Sequence, residues 1–278
     1  MTVRIVTDSA CDLPADVVDS LGITVVPLMI RFGDEELVDR EELSVAEFWR
    51  RCGSSEELPS PAAPSPARFA QAYRRLIDDG ATGIVSLHLS GELSATLQSA
   101  RTAAASIETD VPIEVIDSRS ITVGLGLTVT AIAERARDGA SIDELTELAA
   151  SLIGRTRVRG ALDTLEYLKK GGRIGAAQAV LGSLLSIKPL IAIEDGKVEA
   201  AGKQRTRSRA VKFVIDRVRS EPAIERLAVM HADCDDVDDV VRQLSALHDG
   251  EILVGEIGPV IGAHAGPGTI GVIYHVPA

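Results

Sequence analysis

The sequence predicts an α/β protein of two domains, residues 1–156 with a mostly parallel sheet flanked by helices and residues 157–278 with a mixed sheet and helices. Three observations carry this. Short runs rich in Val and Ile alternate with well-capped stretches of helical period, the pattern of βα units. A second series of such units begins near Arg157, and 278 residues suffice for two ordinary domains. In that second series a two-residue turn signal, Asp195-Gly196, places an antiparallel hairpin, so the sheet there is mixed.

The elements follow in order. Val3–Thr7 reads as a strand, after which Asp12 is expected to cap a short helix carrying Pro14 in its first turn, where a missing N–H costs nothing. Ile23–Leu28 is the second strand. Two S-x-x-E boxes, Ser44 to Glu47 and Ser141 to Glu144, mark helix starts because each side chain can satisfy an orphan backbone donor of the other's turn. Ser65-Pro66 opens another helix. Strands at Gly83–His88 and Ile113–Asp117 each run into helices, and Thr122–Arg137 is a long helix rich in Ala, Val and Leu. The second half offers a strand at Val158–Leu162 and a helix at Thr164–Lys170 ended by Gly171-Gly172, residues that accept positive φ. From Ile174 to Ile187, fourteen residues carry no charge, too few for the roughly 20 of a membrane span. This run is expected to be an apolar helix, buried or mobile. Strands Pro189–Glu194 and Lys197–Ala201 flank the hairpin turn. A helix at Thr206–Arg219, a strand at Arg226–His231, a helix at Asp235–His248 and strands at Ile252–Ile257 and Thr269–Val276 complete the chain.

Composition narrows the function. Lys and Arg number 29 against 41 Asp and Glu, a net charge of −12, which opposes broad binding to phosphate backbones; no nucleic-acid partner is expected. Aromatic residues are only 3% of the chain, too few for base-stacking platforms. Cys11, Cys52 and Cys234 form no C-x-x-C pair, and the five histidines show no H-x-x-x-H pairing, so neither a disulfide framework nor a metal site is expected. The N-terminus enters its first strand without the basic and long apolar stretches of a secretory leader, which predicts a cytoplasmic protein.

Three polar pairs, Asp8-Ser9, Ser90 with Ser94, and Asp117-Ser118, fall just beyond predicted strands, at the sheet edge where ligands bind in open α/β folds; Asp and Ser also cap helices there. The segment Leu89-Ser90-Gly91-Glu92-Leu93-Ser94-Ala95-Thr96 places hydroxyls at a strand-to-helix passage, where backbone N–H groups and the helix dipole favour a carboxylate or phosphate. The G-x-S-x-G elbow of a nucleophilic serine is absent at both Ser90 and Ser94. His264 is surrounded by glycine and proline from Gly258 to Gly268, a permissive backbone that fits either close approach to a ligand or a plain loop. Gly266 to Gly271 satisfies G-x-G-x-x-G literally but lacks the helix that a dinucleotide site requires. Arg173 stands between Gly171-Gly172 and the uncharged run, a fixed cation at the rim of an apolar segment, which suits an amphiphile with an acidic head. The basic run Lys203 to Arg209 is either a solvated face or a docking patch for an acidic partner.

Taken together, Asp8 to Pro14, Val26-Pro27-Leu28, Leu93-Ser94-Ala95-Thr96, Leu168 to Ile174, Ile187-Lys188-Pro189 and Gly258 to His264 resemble the DegV family, in order and over nearly the whole chain. The resemblance implies two α/β domains enclosing a long-chain fatty acid, with no cofactor and no catalytic residue. It also implies, for members of the FakB type, presentation of the carboxylate to a separate ATP-dependent fatty acid kinase that makes an acyl phosphate for phospholipid synthesis. Carried over, the carboxylate-contacting residues are Ser94, Arg173 and His264, and Arg205 is similar to an arginine associated with kinase engagement. Ser90 and Ala95 of the same hydroxyl-rich segment join the head-group set. Where the family usually shows Thr-Ser-Gln-Pro-Ser, this chain has Pro61-Ala62-Ala63-Pro64-Ser65, so Ser60 is the candidate to replace the lost threonine hydroxyl. The family's LSGT appears as Leu93 to Thr96 with Ala95 in place of glycine, one methyl group more near the head group.

The expected function is therefore a cytoplasmic fatty-acid-binding protein that is not itself an enzyme. Ile174, Val180, Leu181, Leu184 and Leu185 of the uncharged run are the candidate tunnel or lid, opening in transient contact with a membrane surface. The alternatives are a serine hydrolase of acyl esters, using Ser94 or Ser90 with His264 and Asp117, and a binder of another small amphiphilic metabolite.

Overall fold

The computed structural model describes residues 2–54, 58–180 and 187–278, with the side chain of Val180 also outside the description. Val3–Asp8 (β1) and Thr24–Val26 (β2) pair in parallel. Met29–Phe32 (β3), Glu35–Val38 (β4) and Ser60–Ala62 (β5) form a small antiparallel sheet in the order β4-β3-β5. Gly83–His88 (β6) and Ile113–Asp117 (β7) complete an all-parallel sheet of order β2-β1-β6-β7. Every residue of β6 is buried, as expected of a strand covered on both faces by crossover helices.

Thr156–Ala161 (β8), Lys188–Glu194 (β9), Lys197–Gln204 (β10), Arg226–His231 (β11), Ile252–Glu256 (β12) and Ile270–His275 (β13) build a six-stranded sheet in the order β10-β9-β8-β13-β11-β12. Only β11 and β12 run parallel; the other neighbours are antiparallel. The chain is thus the mixed α/β protein that its periodicity predicts. Asp195 and Gly196 both take positive φ at the β9–β10 turn, the backbone a tight hairpin of this hand demands.

The helix Thr122–Arg137 packs against β1 and β6 on one side and against β8, β11 and β13 on the other. A helix apolar around most of its circumference has to be enclosed, and eleven of its residues are buried. Gly126 permits the close approach, since a Cβ there would lie 2.6 Å from the Cys11 carbonyl oxygen. The opposite face of the six-stranded sheet is covered by Arg207–Arg219 and Val237–Ser245, which bury Val214, Ile215 and Leu244 against Val229 and Val272.

Four expectations change. Asp12 caps no helix: Ala15–Leu21 starts after Pro14 without a side-chain cap. The Asp12 carboxylate instead accepts from Arg40 Nη2 (3.0 Å), Thr122 Oγ1 (2.7 Å) and the Gly258 N–H (3.1 Å), drawing four segments together. The Ser141–Glu144 box closes at both ends, whereas at Ser44 only the Glu47 N–H is bound, because the Glu47 carboxylate turns to Arg50 and Arg51. His264 lies not in a loop but in the last turn of a helix, Pro259–Ala265, with Pro259 at its first position. The uncharged run opens as a 3₁₀ helix, Gly175–Val180, rather than an α-helix; residues 181–186, with Leu181, Leu184 and Leu185, lie outside the described residues.

Candidate functional site

Beyond β6 the chain turns through Ser90 to Ser94 into the helix Thr96–Ala105, whose positive dipole end begins at Ala95. The Ser94 Oγ accepts from the Thr96 N–H (3.3 Å) and shares a hydrogen bond of 2.9 Å with Thr96 Oγ1. Across from it, Glu166–Lys170 ends in Gly171-Gly172, and Arg173 returns over the loop: its Nη1 donates to the Gly171 carbonyl (2.7 Å) and its Nε to that of Leu93 (3.2 Å). The two loops are thereby clipped together by one guanidinium. His264 reaches the same place from its helix, which is braced by Trp49, whose Nε1 donates to the Ile257 carbonyl (3.2 Å).

These side chains surround a cavity of about 160 Å³. Ser94, Ala95, Arg173 and His264 line it together with apolar residues, among them Leu28, Leu89, Leu168, Ile191, Val198 and Ile261. Arg173 is the one formally charged residue in that lining among the described residues. Burial, reinforced by the Arg173 charge, pushes the His264 imidazole down to about 4, so at neutral pH the ring is uncharged and Arg173 alone supplies positive charge. The His264 Nδ1 is buried without a hydrogen-bond partner. The arrangement offers a hydroxyl and a cation at one side of an apolar chamber, the complement of an amphiphile with an anionic head.

The other sequence-derived candidates lie elsewhere. Ser90 is fully buried outside the cavity lining, its Oγ donating to the Gly196 carbonyl at the hairpin turn (2.7 Å). Ser60 is exposed on β5, paired with Arg31, while Pro61, Ala62 and Ala63 after it reach the cavity. Ile174 is half-buried and packs against the core rather than lining the cavity. Arg205 is exposed at the turn into Arg207–Arg219, whereas Arg207 beside it is held by Asp236 (2.7 Å). Thr96 was missed; the signal was a Ser and a Thr two apart at a helix start, a local motif in which hydroxyls engage the first turn.

No hydrogen bond joins His264 to Ser90 or Ser94 among the described residues, and Asp117 accepts from the Gly91 and Arg119 N–H groups instead. The hydrolase constellation is therefore not assembled. A different Asp-His-Ser chain does exist: Asp8 Oδ2 to His88 Nδ1 (2.9 Å), His88 Nε2 to Ser86 (2.7 Å), Ser86 to the Tyr73 hydroxyl (2.7 Å). All four residues are fully buried, so no substrate reaches them and the chain serves to satisfy polar groups inside the parallel sheet. A larger cleft of about 280 Å³ runs along Arg119, Arg159, Glu194 and Asp195. Two of its three arginines are answered by acids, Arg119 by Asp195 (3.3 Å) and Arg159 by Glu194 (3.2 Å), while Arg157 donates to the Gly154 and Thr156 carbonyls (3.0 and 3.1 Å); of the polar pairs read from the sequence, Ser118 lines it. Among the described residues no group of His, Cys, Asp and Glu could hold a metal ion, and no helix is long and apolar enough to cross a membrane.

Comparison with known proteins places this site in context. Residues 2–276 match the model of a family described as uncharacterised protein, DegV family. A DegV domain-containing protein of Streptomyces coelicolor is 41% identical over 98% of this chain and 97% of its own length. Among solved structures, a DegV family protein from Thermus thermophilus, described by its fatty acid binding, superposes with a TM-score of 0.92 at 35% identity over the whole of both chains. A stearic acid-binding protein from Eubacterium ventriosum superposes with a TM-score of 0.91 at 25% identity over 98% of each chain.

Proposed function

The chain belongs to the DegV family, and from that premise we propose that it binds one long-chain fatty acid, with the carboxylate at Ser94, Arg173 and His264 and the acyl chain in the apolar cavity. The observation that carries this reading is the cavity itself: an apolar wall with a single cation and a hydroxyl on one side. In this reading the head-group side lies where an N-terminal domain, 1–156, meets a C-terminal domain, 157–278. The acyl chain dominates affinity: at about 0.8 kcal/mol per buried CH₂, 15 methylenes contribute on the order of 12 kcal/mol gross, against roughly 1.5–3 for one charge-assisted hydrogen bond. The protein is then a carrier in the cytoplasm rather than an enzyme, and it hands its carboxylate to an ATP-dependent fatty acid kinase that docks at exposed Arg205 and feeds phospholipid synthesis. The uncharged run from Ile174 forms the lid in this reading and opens against a membrane surface.

The test is native mass spectrometry of the purified protein, followed by denaturation, organic extraction and identification of what is released. One fatty acid per chain supports the reading. A clean unliganded mass that also takes up no added fatty acid removes it and points to Pro61 and Ala95 as the cause. Acyl phosphate formation with ATP and a fatty acid kinase then tests the partner, with Arg205→Glu expected to slow turnover and leave the lipid in place.

A further inference from the structure

Resting on the fatty-acid reading of the cavity, we infer that Thr96 is a positioning residue that turns Ser94 into an obligate hydrogen-bond donor toward the ligand head. The argument is one of counting protons. A hydroxyl has one hydrogen to give and two lone pairs to receive with. Thr96 is fully buried, and the partner of its Oγ1 among the described residues is Ser94 Oγ, at 2.9 Å. If Thr96 accepted in that contact, its own hydrogen would be buried without an acceptor, at the cost of an unmade bond. Thr96 therefore donates.

Ser94 also receives the Thr96 N–H at 3.3 Å, so both of its accepting positions face Thr96 and its one hydrogen remains. Ser94 is half-buried and lines the cavity. That hydrogen is thus available to a ligand oxygen, and the chain Thr96 to Ser94 to ligand polarises in one direction. The head group selected is an acceptor; a head that must donate, such as a primary ammonium, meets a donor at Ser94 and the guanidinium of Arg173.

The test uses the whole chain with threonine carbon-13 labelled at Cβ, and hexadecanoate carbon-13 labelled at its carboxyl. In the ligand-free protein in mixed light and heavy water, the Thr96 Cβ signal should split by the isotope effect of a slowly exchanging hydroxyl, and Ser94→Ala should collapse the splitting. With hexadecanoate bound, Ser94→Ala should raise the titration midpoint of the ligand carboxyl by about one pH unit, because the hydrogen bond that Ser94 donates to the ionised form is lost. Thr96→Val should raise it by less, since Ser94 keeps its hydrogen and loses only the contact that aims it, the double variant should go no further than Ser94→Ala, and Thr96→Ser should restore the original midpoint, which space-filling alone does not require. A Thr96 signal that is unsplit in the wild type, a Thr96→Val midpoint equal to the wild type, or additive shifts in the double variant would overturn the assignment. If Thr96→Val does not fold, the isotope splitting in wild type and Ser94→Ala decides. Wild-type protein that shows the splitting but takes up no hexadecanoate removes the fatty-acid reading and leaves the Thr96 assignment standing.

Discussion

Gly171 and His264 touch where no side chain could stand between them: a Cβ on Gly171 would lie 2.2 Å from His264 Nδ1. The Gly171 backbone has φ −74, open to any residue, so the requirement comes from packing. Gly171→Ala should therefore destabilise by about 1–3 kcal/mol through forced displacement of the imidazole and weaken fatty-acid uptake. Its neighbour behaves differently. Gly172 has φ +69 and nothing within 4 Å of an added Cβ, so Gly172→Ala should cost about 1 kcal/mol of backbone strain and spare uptake. Urea unfolding together with lipid extraction separates the two, and equal effects on uptake would contradict the packing account.

Stability should fall in mild acid. Burial pushes both His264 and His275 down to about 4 from an ordinary 6.5, with Arg173 adding to the first and Arg226 and Arg155 to the second. The unfolded chain takes up these protons first, so the stability that depends on neutral imidazoles is complete above pH 6.5 and drains away as pH falls toward 4. His275→Gln should flatten this limb of a stability-against-pH curve measured by urea unfolding. An unchanged slope between pH 6.5 and 4.5 would count against the assignment.

Asp39 should show the opposite limb. It is 1% exposed, and neither carboxylate oxygen is held in a hydrogen bond of good geometry. Burial pushes it up to about 7, with the Ser9 hydroxyl and Arg40 pulling the other way. The folded state keeps this proton after the unfolded state has lost it, so stability is lost as pH rises through 7. Asp39→Asn should stabilise the protein at pH 8, by on the order of 1–2 kcal/mol, with the gain shrinking toward pH 5. Thermal melts at the two pH values report it.

Ser90 should matter for stability and not for ligand choice. Removing its hydroxyl leaves the Gly196 carbonyl without the bond it now accepts at 2.7 Å, and a buried acceptor left unpaired costs about 1–3 kcal/mol. Ser90→Ala should lower the urea midpoint and leave the identity of the extracted lipid unchanged. A changed lipid profile would bring Ser90 into the binding site after all.

At the cavity, Ser94→Ala should keep the lipid and loosen its head, since apolar burial outweighs one hydrogen bond several-fold. Arg173→Ala removes the cavity's cation and the clip to the Leu93 carbonyl. On the proposed function, it should retain lipid and slow acyl phosphate formation when ATP and a fatty acid kinase are added. Loss of all lipid from Ser94→Ala, or wild-type turnover in Arg173→Ala, would contradict this division of roles.

Much of this was legible in advance where one physical signal governed. β6, β7, β11 and the helix Thr122–Arg137 fall where periodicity and strand composition put them. The small β3–β4–β5 sheet was missed for reasons visible in its residues. Its strands are only three or four residues long, and Pro61 argues against a strand except at an edge, which is where β5 lies. The Gly33-Asp34 turn between β3 and β4 was an available hairpin signal. The helix at Pro259–Ala265 was hidden because glycine and proline depress helix propensity. What overrides them is tertiary: Gly262 has to be small, since a Cβ there would meet Phe48 and Trp49 at 2.8 Å. In the candidate site, Ser94, Arg173 and His264 could be named from motifs. Ser90 could not be separated from Ser94, because two hydroxyls four residues apart look alike until the hairpin turn arrives to claim one of them.

The Asp12 carboxylate has a bearing on the order in which this chain becomes a protein. Two of its three contacts come from Arg40 and Thr122, but the last comes from the N–H of Gly258. During synthesis the first 122 residues supply the acid, the guanidinium and the hydroxyl, and another 136 residues are added before the last donor exists (258 − 122 = 136). The Asp12 carboxylate therefore gains its full set of partners only when a segment made late in synthesis reaches back to one made early.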